Sequence, residues 1–87
     1  MKKLWSDEAW EDYLYWQTQD KKTLSKINKL LKDIDRNGYH SIGKPEPLKG
    51  NFSGYWSVRI DDKNRIVYRI KEDSLEIWQC GSHYRDK

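Results

Sequence analysis

Glu46 is the only carboxylate between Arg36 and Ile60, and it sits in the segment Gly43-Lys44-Pro45-Glu46-Pro47-Leu48-Lys49. Proline lacks a backbone donor and drives the residue before it toward extended geometry, so this acid is expected in an extended loop and not within a helix. Downstream come Arg59 and Arg65, flanking a predicted hairpin turn, and then His83-Tyr84. Together these residue types suit cleavage of an RNA phosphodiester by the substrate's own 2′-hydroxyl. That reaction needs a base for the hydroxyl, an acid for the departing 5′-oxygen, and positive charge on the crowded phosphorane. A glutamate can be the base, and a histidine, titrating near neutrality, can be the acid. Arginine suits the phosphoryl oxygens because its fork is always charged and bonds bidentately. Tyr84 is suited to orienting the acid or to stacking on a splayed base.

Taken singly, each of these residues is more often solvated or structural. Asp61 is a ready partner for Arg65, and Arg69 is expected to pair with Glu76 across two strands. Five lysines, at positions 21, 22, 26, 29 and 32, crowd the second predicted helix; they suit a solvated face and an rRNA-facing patch about equally.

The elements that must position these groups can be read from periodicity. Residues 1–5 are expected to form a short first strand. Ser6 is an N-cap candidate followed by Asp7 and Glu8, acids at the favourable end of a helix dipole. Ala9, Trp10, Tyr13, Leu14 and Gln17 mark one face of this first helix. Asp20 can cap a second helix, in which Leu24, Ile27, Leu31 and Ile34 recur at helical spacing up to Asn37-Gly38. The pair reads as an αα-hairpin.

From Tyr55 onward the period is two. Trp56, Val58 and Ile60, then Ile66, Tyr68 and Ile70, then Leu75 and Ile77 alternate with their neighbours. The alternation predicts three antiparallel strands with one face on the helices. Ile60 is expected opposite Ile66 and Arg59 opposite Val67, across a three-residue loop Asp62-Lys63-Asn64. A two-residue turn at Glu72-Asp73 pairs Ile70 with Leu75, Tyr68 with Ile77 and Arg69 with Glu76, and leaves Arg65 opposite Cys80. The expected fold class is α+β: an N-terminal helical hairpin on one face of a small twisted antiparallel sheet, forming a single domain over residues 1–87. Arg59, Arg65 and the His83-Tyr84 tail then gather at one end of the open sheet face.

Composition bounds the reading. Eighty-seven residues allow one modest core. Five Trp and six Tyr supply large apolar area, which favours a packed domain over disorder although 36% of residues are charged. The net charge of +3 permits an RNA or acidic partner. The lone Cys80 rules out an internal disulfide and a cysteine-based zinc cluster. No apolar run approaches a membrane span or a signal sequence, so the cytoplasm is the expected compartment.

The block around Glu46, then Ser53-Gly54-Tyr55-Trp56-Ser57 with Arg59-Ile60, Arg65-Ile66-Val67-Tyr68 and His83-Tyr84, closely resembles the YoeB/Txe toxins of the RelE/ParE superfamily. Leu4-Trp5-Ser6 and Asp12-Tyr13-Leu14-Tyr15-Trp16 match as well, so the resemblance spans essentially the whole chain. It implies a RelE-like fold and a ribosome-dependent mRNA interferase that cuts in the ribosomal A site without metal or other cofactor. It further implies Glu46 as general base, His83 as general acid, Arg65 as phosphorane stabiliser, Tyr84 as a residue ordering the site, and Lys49 and Arg59 as RNA contacts. The partners implied are the ribosome and mRNA, a second copy of the chain, and a YefM/Axe-like antitoxin whose C-terminal segment wraps the toxin. Operator DNA is reached only through the antitoxin complex. Val58-Arg59 stands where many relatives have consecutive arginines, and Arg85-Asp86-Lys87 follows where many stop near the tyrosine. Two other readings keep the fold: a ParE-like gyrase inhibitor, disfavoured by the Glu/Arg/His set, and a ribosome-binding module that docks without cutting.

Overall fold

The computed structural model describes residues 1–81. Two helices, α1 (Asp7–Gln19) and α2 (Lys21–Asn37), pack on one face of a sheet built from β1 (Lys2–Trp5), β2 (Glu46–Pro47), β3 (Trp56–Arg59), β4 (Arg65–Lys71) and β5 (Ser74–Gly81). The fold class is the expected α+β. Both predicted caps form. Ser6 Oγ accepts the Ala9 N–H at 3.0 Å, and the Asp20 carboxylate accepts the Thr23 N–H at 3.1 Å and its hydroxyl at 2.8 Å. The Thr23 bonds hold the Asp20 carboxyl below its ordinary value. Helix α2 buries Ile27, Leu31 and Ile34, then stops where Gly38 takes a φ of 57° and its N–H caps the Ile34 carbonyl.

Helix α1 presents a different face from the one its apolar residues suggest. Trp10, Leu14 and Gln17 are exposed, whereas Ala9 and Asp12 are buried and Tyr13 and Trp16 half-buried. The cause lies in the sheet. Strand β1 pairs with β5 only from Ser74 to Ile77, and its continuation at Ser6 bonds the Ile77 and Trp78 carbonyls. Farther along, Asp12 Oδ2 accepts the Cys80 N–H at 3.1 Å and Trp16 Nε1 donates to the Cys80 carbonyl at 2.8 Å. A buried backbone group needs a partner, so a carboxylate and an indole outrank apolar side chains at this contact.

The strand order is β1-β5-β4-β3-β2. The sheet is mixed and not wholly antiparallel, because β1 runs parallel to β5 while the other three pairings are antiparallel. The segment around Glu46 is also more than a loop: Glu46 and Pro47 form a two-residue edge strand opposite Ser57 and Trp56. Proline is tolerated there because the outer side of an edge strand has no ladder to complete.

The β3–β4 register corrects the expectation by two residues. Val58 lies opposite Ile66, and Arg59 opposite Arg65 instead of Val67. The loop closes earlier because the Asp61 carboxylate captures the Lys63 N–H, the Asn64 N–H and the Asn64 side-chain amide, while the Ile60 N–H bonds the Asn64 carbonyl. Burial works against ionising Asp61, but these hydrogen bonds outweigh it and hold its carboxyl below the ordinary value. A two-residue shift preserves side-chain parity, so the core face is unchanged.

In the β4–β5 hairpin the three predicted pairs occur: Ile70–Leu75, Tyr68–Ile77 and Arg69–Glu76. Beyond them a bulge at Trp78 interposes one extra residue between the Tyr68–Ile77 and Val67–Gln79 pairs. Arg65 therefore opposes Gly81 and not Cys80. The bulge also reverses the phase of the strand end. Cys80 joins Leu75 and Ile77 in the core, fully buried, and burial pushes its thiol up to about 12.

Asp12→Ala would leave the Cys80 N–H without this acceptor, an expected loss of about 1–3 kcal/mol in urea unfolding. In the unmutated protein Cys80 should react with a thiol reagent near neutral pH only as fast as the chain unfolds; rapid stoichiometric labelling of the native state would contradict its burial.

Candidate active site

The open face of the sheet carries the side chains that point away from the helices. At one end, Arg59 of β3 and Arg65 of β4 stand opposite each other. Glu46 of β2 lies opposite Ser57 of β3, and Ser57 is the diagonal neighbour of Arg65. The diagonal is bonded: Arg65 Nη1 donates to Ser57 Oγ at 2.9 Å. The same nitrogen lies 3.8 Å from Glu46 Oε1. Glu46, Ser57 and Arg65, with Pro47 and Leu48, line a shallow cleft of about 390 Å³.

The energetics of the cleft favour a site that can rearrange. The Glu46 carboxylate is largely exposed and its contact with Arg65 is long, so this pair contributes well under about 1 kcal/mol to folding. Arg59 pairs with Asp62 at 3.2 Å, both side chains being mostly solvated; that pair too is easily exchanged for another anion. The anchor of the site is neutral instead. Ser57 is buried, and its hydroxyl holds one arm of the Arg65 fork.

Backbone packing places Glu46. Three residues upstream, Gly43 runs so close to α2 and β3 that a Cβ there would sit 2.4 Å from Val58 Cγ2 and 3.1 Å from Leu30 Cδ2. Only glycine allows this approach. Downstream, the Leu48 N–H bonds the Tyr55 carbonyl at 2.9 Å and continues the edge pairing past Pro47. The short strand is thus held on both sides of the acid.

Glu46 and Arg65 are brought together, and Arg59 is set beside Arg65 with its guanidinium turned to Asp62. Lys49 is exposed on the segment leaving β2. Asp61 does not pair with Arg65; it is committed to its own loop. Arg69 pairs with Glu76, as expected. His83 and Tyr84 lie outside the described residues. Sequence reasoning missed Ser57, whose only signal is its place on the open-face phase of β3, and missed Asp12 and Trp16. The signal for that pair is spacing: Ala9, Asp12 and Trp16 fall on one helical stripe. Among the described residues, no group of three or more His, Cys, Asp or Glu could hold a metal ion, and no helix is long and apolar enough to cross a membrane.

The fold is shared with YafQ from Escherichia coli strain BL21(DE3) at a TM-score of 0.70 and 19% identity, over 95% of this chain and 93% of that one, a likeness of fold alone. Residues 5–84 match the sequence model of the YoeB-like toxin of bacterial type II toxin–antitoxin system. Toxin YoeB of E. coli strain K12 is 54% identical over 97% of this chain and 100% of its own length. A YoeB/ParE toxin from Agrobacterium tumefaciens superposes with a TM-score of 0.91 at 44% identity, covering 97% of this chain and 100% of that one. The YoeB of Staphylococcus aureus, solved as a dimer and as a heterotetrameric YoeB–YefM complex, superposes at 0.88 and 0.90, with 48% identity over 97% of this chain and 98% of that one. The chain belongs to the YoeB-like toxins of bacterial type II toxin–antitoxin systems.

Gly43→Ala should cost about 1–3 kcal/mol in urea unfolding, because Val58 or the backbone must yield to the added methyl. Equal stability of the Gly43→Ala protein and the unmutated chain would refute the close approach.

Proposed function

We propose that this chain is a ribosome-dependent mRNA endoribonuclease that arrests translation by cutting mRNA in the ribosomal A site. The observation that carries the reading is the junction of Glu46 and Arg65 on one open cleft through Ser57. Glu46, held on an edge strand and mostly exposed, takes the proton from the 2′-hydroxyl. The oxygen so freed attacks the adjacent phosphorus, forming a 2′,3′-cyclic phosphate and releasing the 5′-oxygen of the next nucleotide. His83 protonates that leaving oxygen, and Tyr84 orders the histidine. No metal takes part in these steps.

Arg65 stabilises the phosphorane. Its contact with Glu46 is loose enough to give way to a phosphate oxygen, which in turn leaves the carboxylate free as a base. Arg59 releases the solvated Asp62 to hold a flanking phosphate, and Lys49 adds a second point charge. The YoeB–YefM complexes and the YoeB dimer from S. aureus support a YefM-like antitoxin and a second copy of this chain as its partners. The antitoxin's C-terminal segment wraps the toxin, and the complex represses its operon through the antitoxin's DNA-binding part. The place of action is the bacterial cytoplasm.

Toeprinting on translating ribosomes tests the reading. Cuts should follow the reading frame, and Glu46→Gln should slow them by about 10²–10⁴-fold. A 2′-deoxy residue at the cut position should block reaction, since it removes the nucleophile; cleavage of such a substrate would eliminate this mechanism. Translation arrest without cuts would leave a docking inhibitor, and untouched translation would favour gyrase as the target. With His83 as the acid, the rate should fall as pH rises through its pKa in the complex, which neighbouring phosphates lift above the ordinary ~6.5. A flat profile over roughly pH 6–9 would remove His83 from that role.

A further inference from the structure

The open sheet face has a second end, which the proposed chemistry does not use. Phe52, Tyr55 and Trp78 meet there, each pair of ring centroids 6.2–6.3 Å apart and inclined by 56–84°. Two of these rings are strongly exposed for their size, Phe52 at 41% and Trp78 at 45%. The Arg69 guanidinium lies 4.9 Å over the Tyr55 ring and is ion-paired to Glu76. Trp78 is the extra residue of the β5 bulge, and its ring meets Tyr55 and Phe52 on the open face.

We propose that Phe52, Tyr55 and Trp78 form a stacking site for a base of the single-stranded mRNA near the scissile phosphate; this rests on the ribonuclease reading of the Glu46–Arg65 cleft. Three observations select a nucleotide base as the occupant. The site is continuous with the cleft: along β4, Arg69 lies four residue steps beyond Arg65, about 13 Å at strand rise, within reach of a nearby nucleotide on an extended strand. The charge pattern changes along that path. Guanidiniums suited to phosphate stand at the cleft end, while at the ring end Glu76 neutralises Arg69 and leaves exposed π-faces, which suit an uncharged base. The rings are also held in place. Each ring contacts the other two and the Arg69 guanidinium covers Tyr55, so little side-chain ordering remains to be done on binding. Stacking on such rings tolerates any base, so the site positions the strand without reading its sequence.

The test is single-turnover cleavage on programmed ribosomes, using the full chain, Trp78→Ala, Phe52→Ala and Trp78→Phe. Messages carry an abasic residue at each position flanking the cut in turn. Trp78→Ala should slow cleavage of intact message about tenfold, and Trp78→Phe should restore most of the rate. One abasic position should slow the unmutated protein to a similar degree and add nothing to Trp78→Ala. Losses that multiply, or variants that cut like the unmutated chain, overturn the stacking site. Unchanged cleavage with weakened antitoxin binding would likewise overturn it in favour of a peptide site. Should the unmutated protein cut nothing, the ribonuclease reading fails by itself. An NMR titration with a short single-stranded RNA, 2′-O-methylated throughout, then decides the stacking site: a shift of the Trp78 indole N–H, identified by its loss in Trp78→Phe, sustains it, and no shift at saturating RNA overturns it.

Discussion

Strand β5 runs beyond its partner β1, and the structure depends on how the exposed edge is closed. Helix α1 supplies the closure, with Asp12 accepting from the Cys80 N–H and Trp16 donating to the Cys80 carbonyl. Without them the end of a central strand would bury a donor and an acceptor with no partner, at a cost comparable to a lost hydrogen bond for each. The same contact sets the roll of α1 about its axis. It turns Tyr13 and Trp16 inward and leaves Trp10 and Leu14 at the surface.

The closure and the bulge at Trp78 are mutually consistent. The extra residue brings Cys80 onto the core phase, and its side chain is buried with Leu75 and Ile77 while its backbone meets α1. It also sets Gln79 and Gly81 opposite Val67 and Arg65 on the open face. One inserted residue thus serves core and site together, since side chains on a strand alternate strictly between faces.

The site follows from this frame with few strong interactions of its own. Its carboxylate is exposed and its ion pairs are long or solvated, so its geometry comes from the backbone. Gly43 lets the chain press against Val58 and Leu30, the Leu48–Tyr55 bond holds the other side, and buried Ser57 steadies Arg65. A rigid scaffold under loosely paired charges suits the proposed reaction, in which a phosphate displaces an intramolecular partner.

Much of this was legible from local pattern. Helix caps at Ser6 and Asp20, the α2 stripe, the stop at Gly38, the Glu72-Asp73 turn and the alternation of β3 to β5 depend on residues close in the chain, whose preferences act within a turn or a strand. The isolation of Glu46 between prolines was equally plain, as was its separation from Arg59 and Arg65. What sequence alone could not determine were relations between distant segments. A two-residue register shift leaves parity intact, so the hydrophobic pattern could not choose between Val67 and Arg65 as the partner of Arg59; the side-chain bonds of Asp61 decided it. Nor could alternation reveal a bulge at Trp78, a parallel β1, or Asp12 as a buried residue. Those depend on which backbone groups are left without partners once the sheet is assembled. That balance exists only in the folded molecule, because a donor becomes costly only when water has been removed from it.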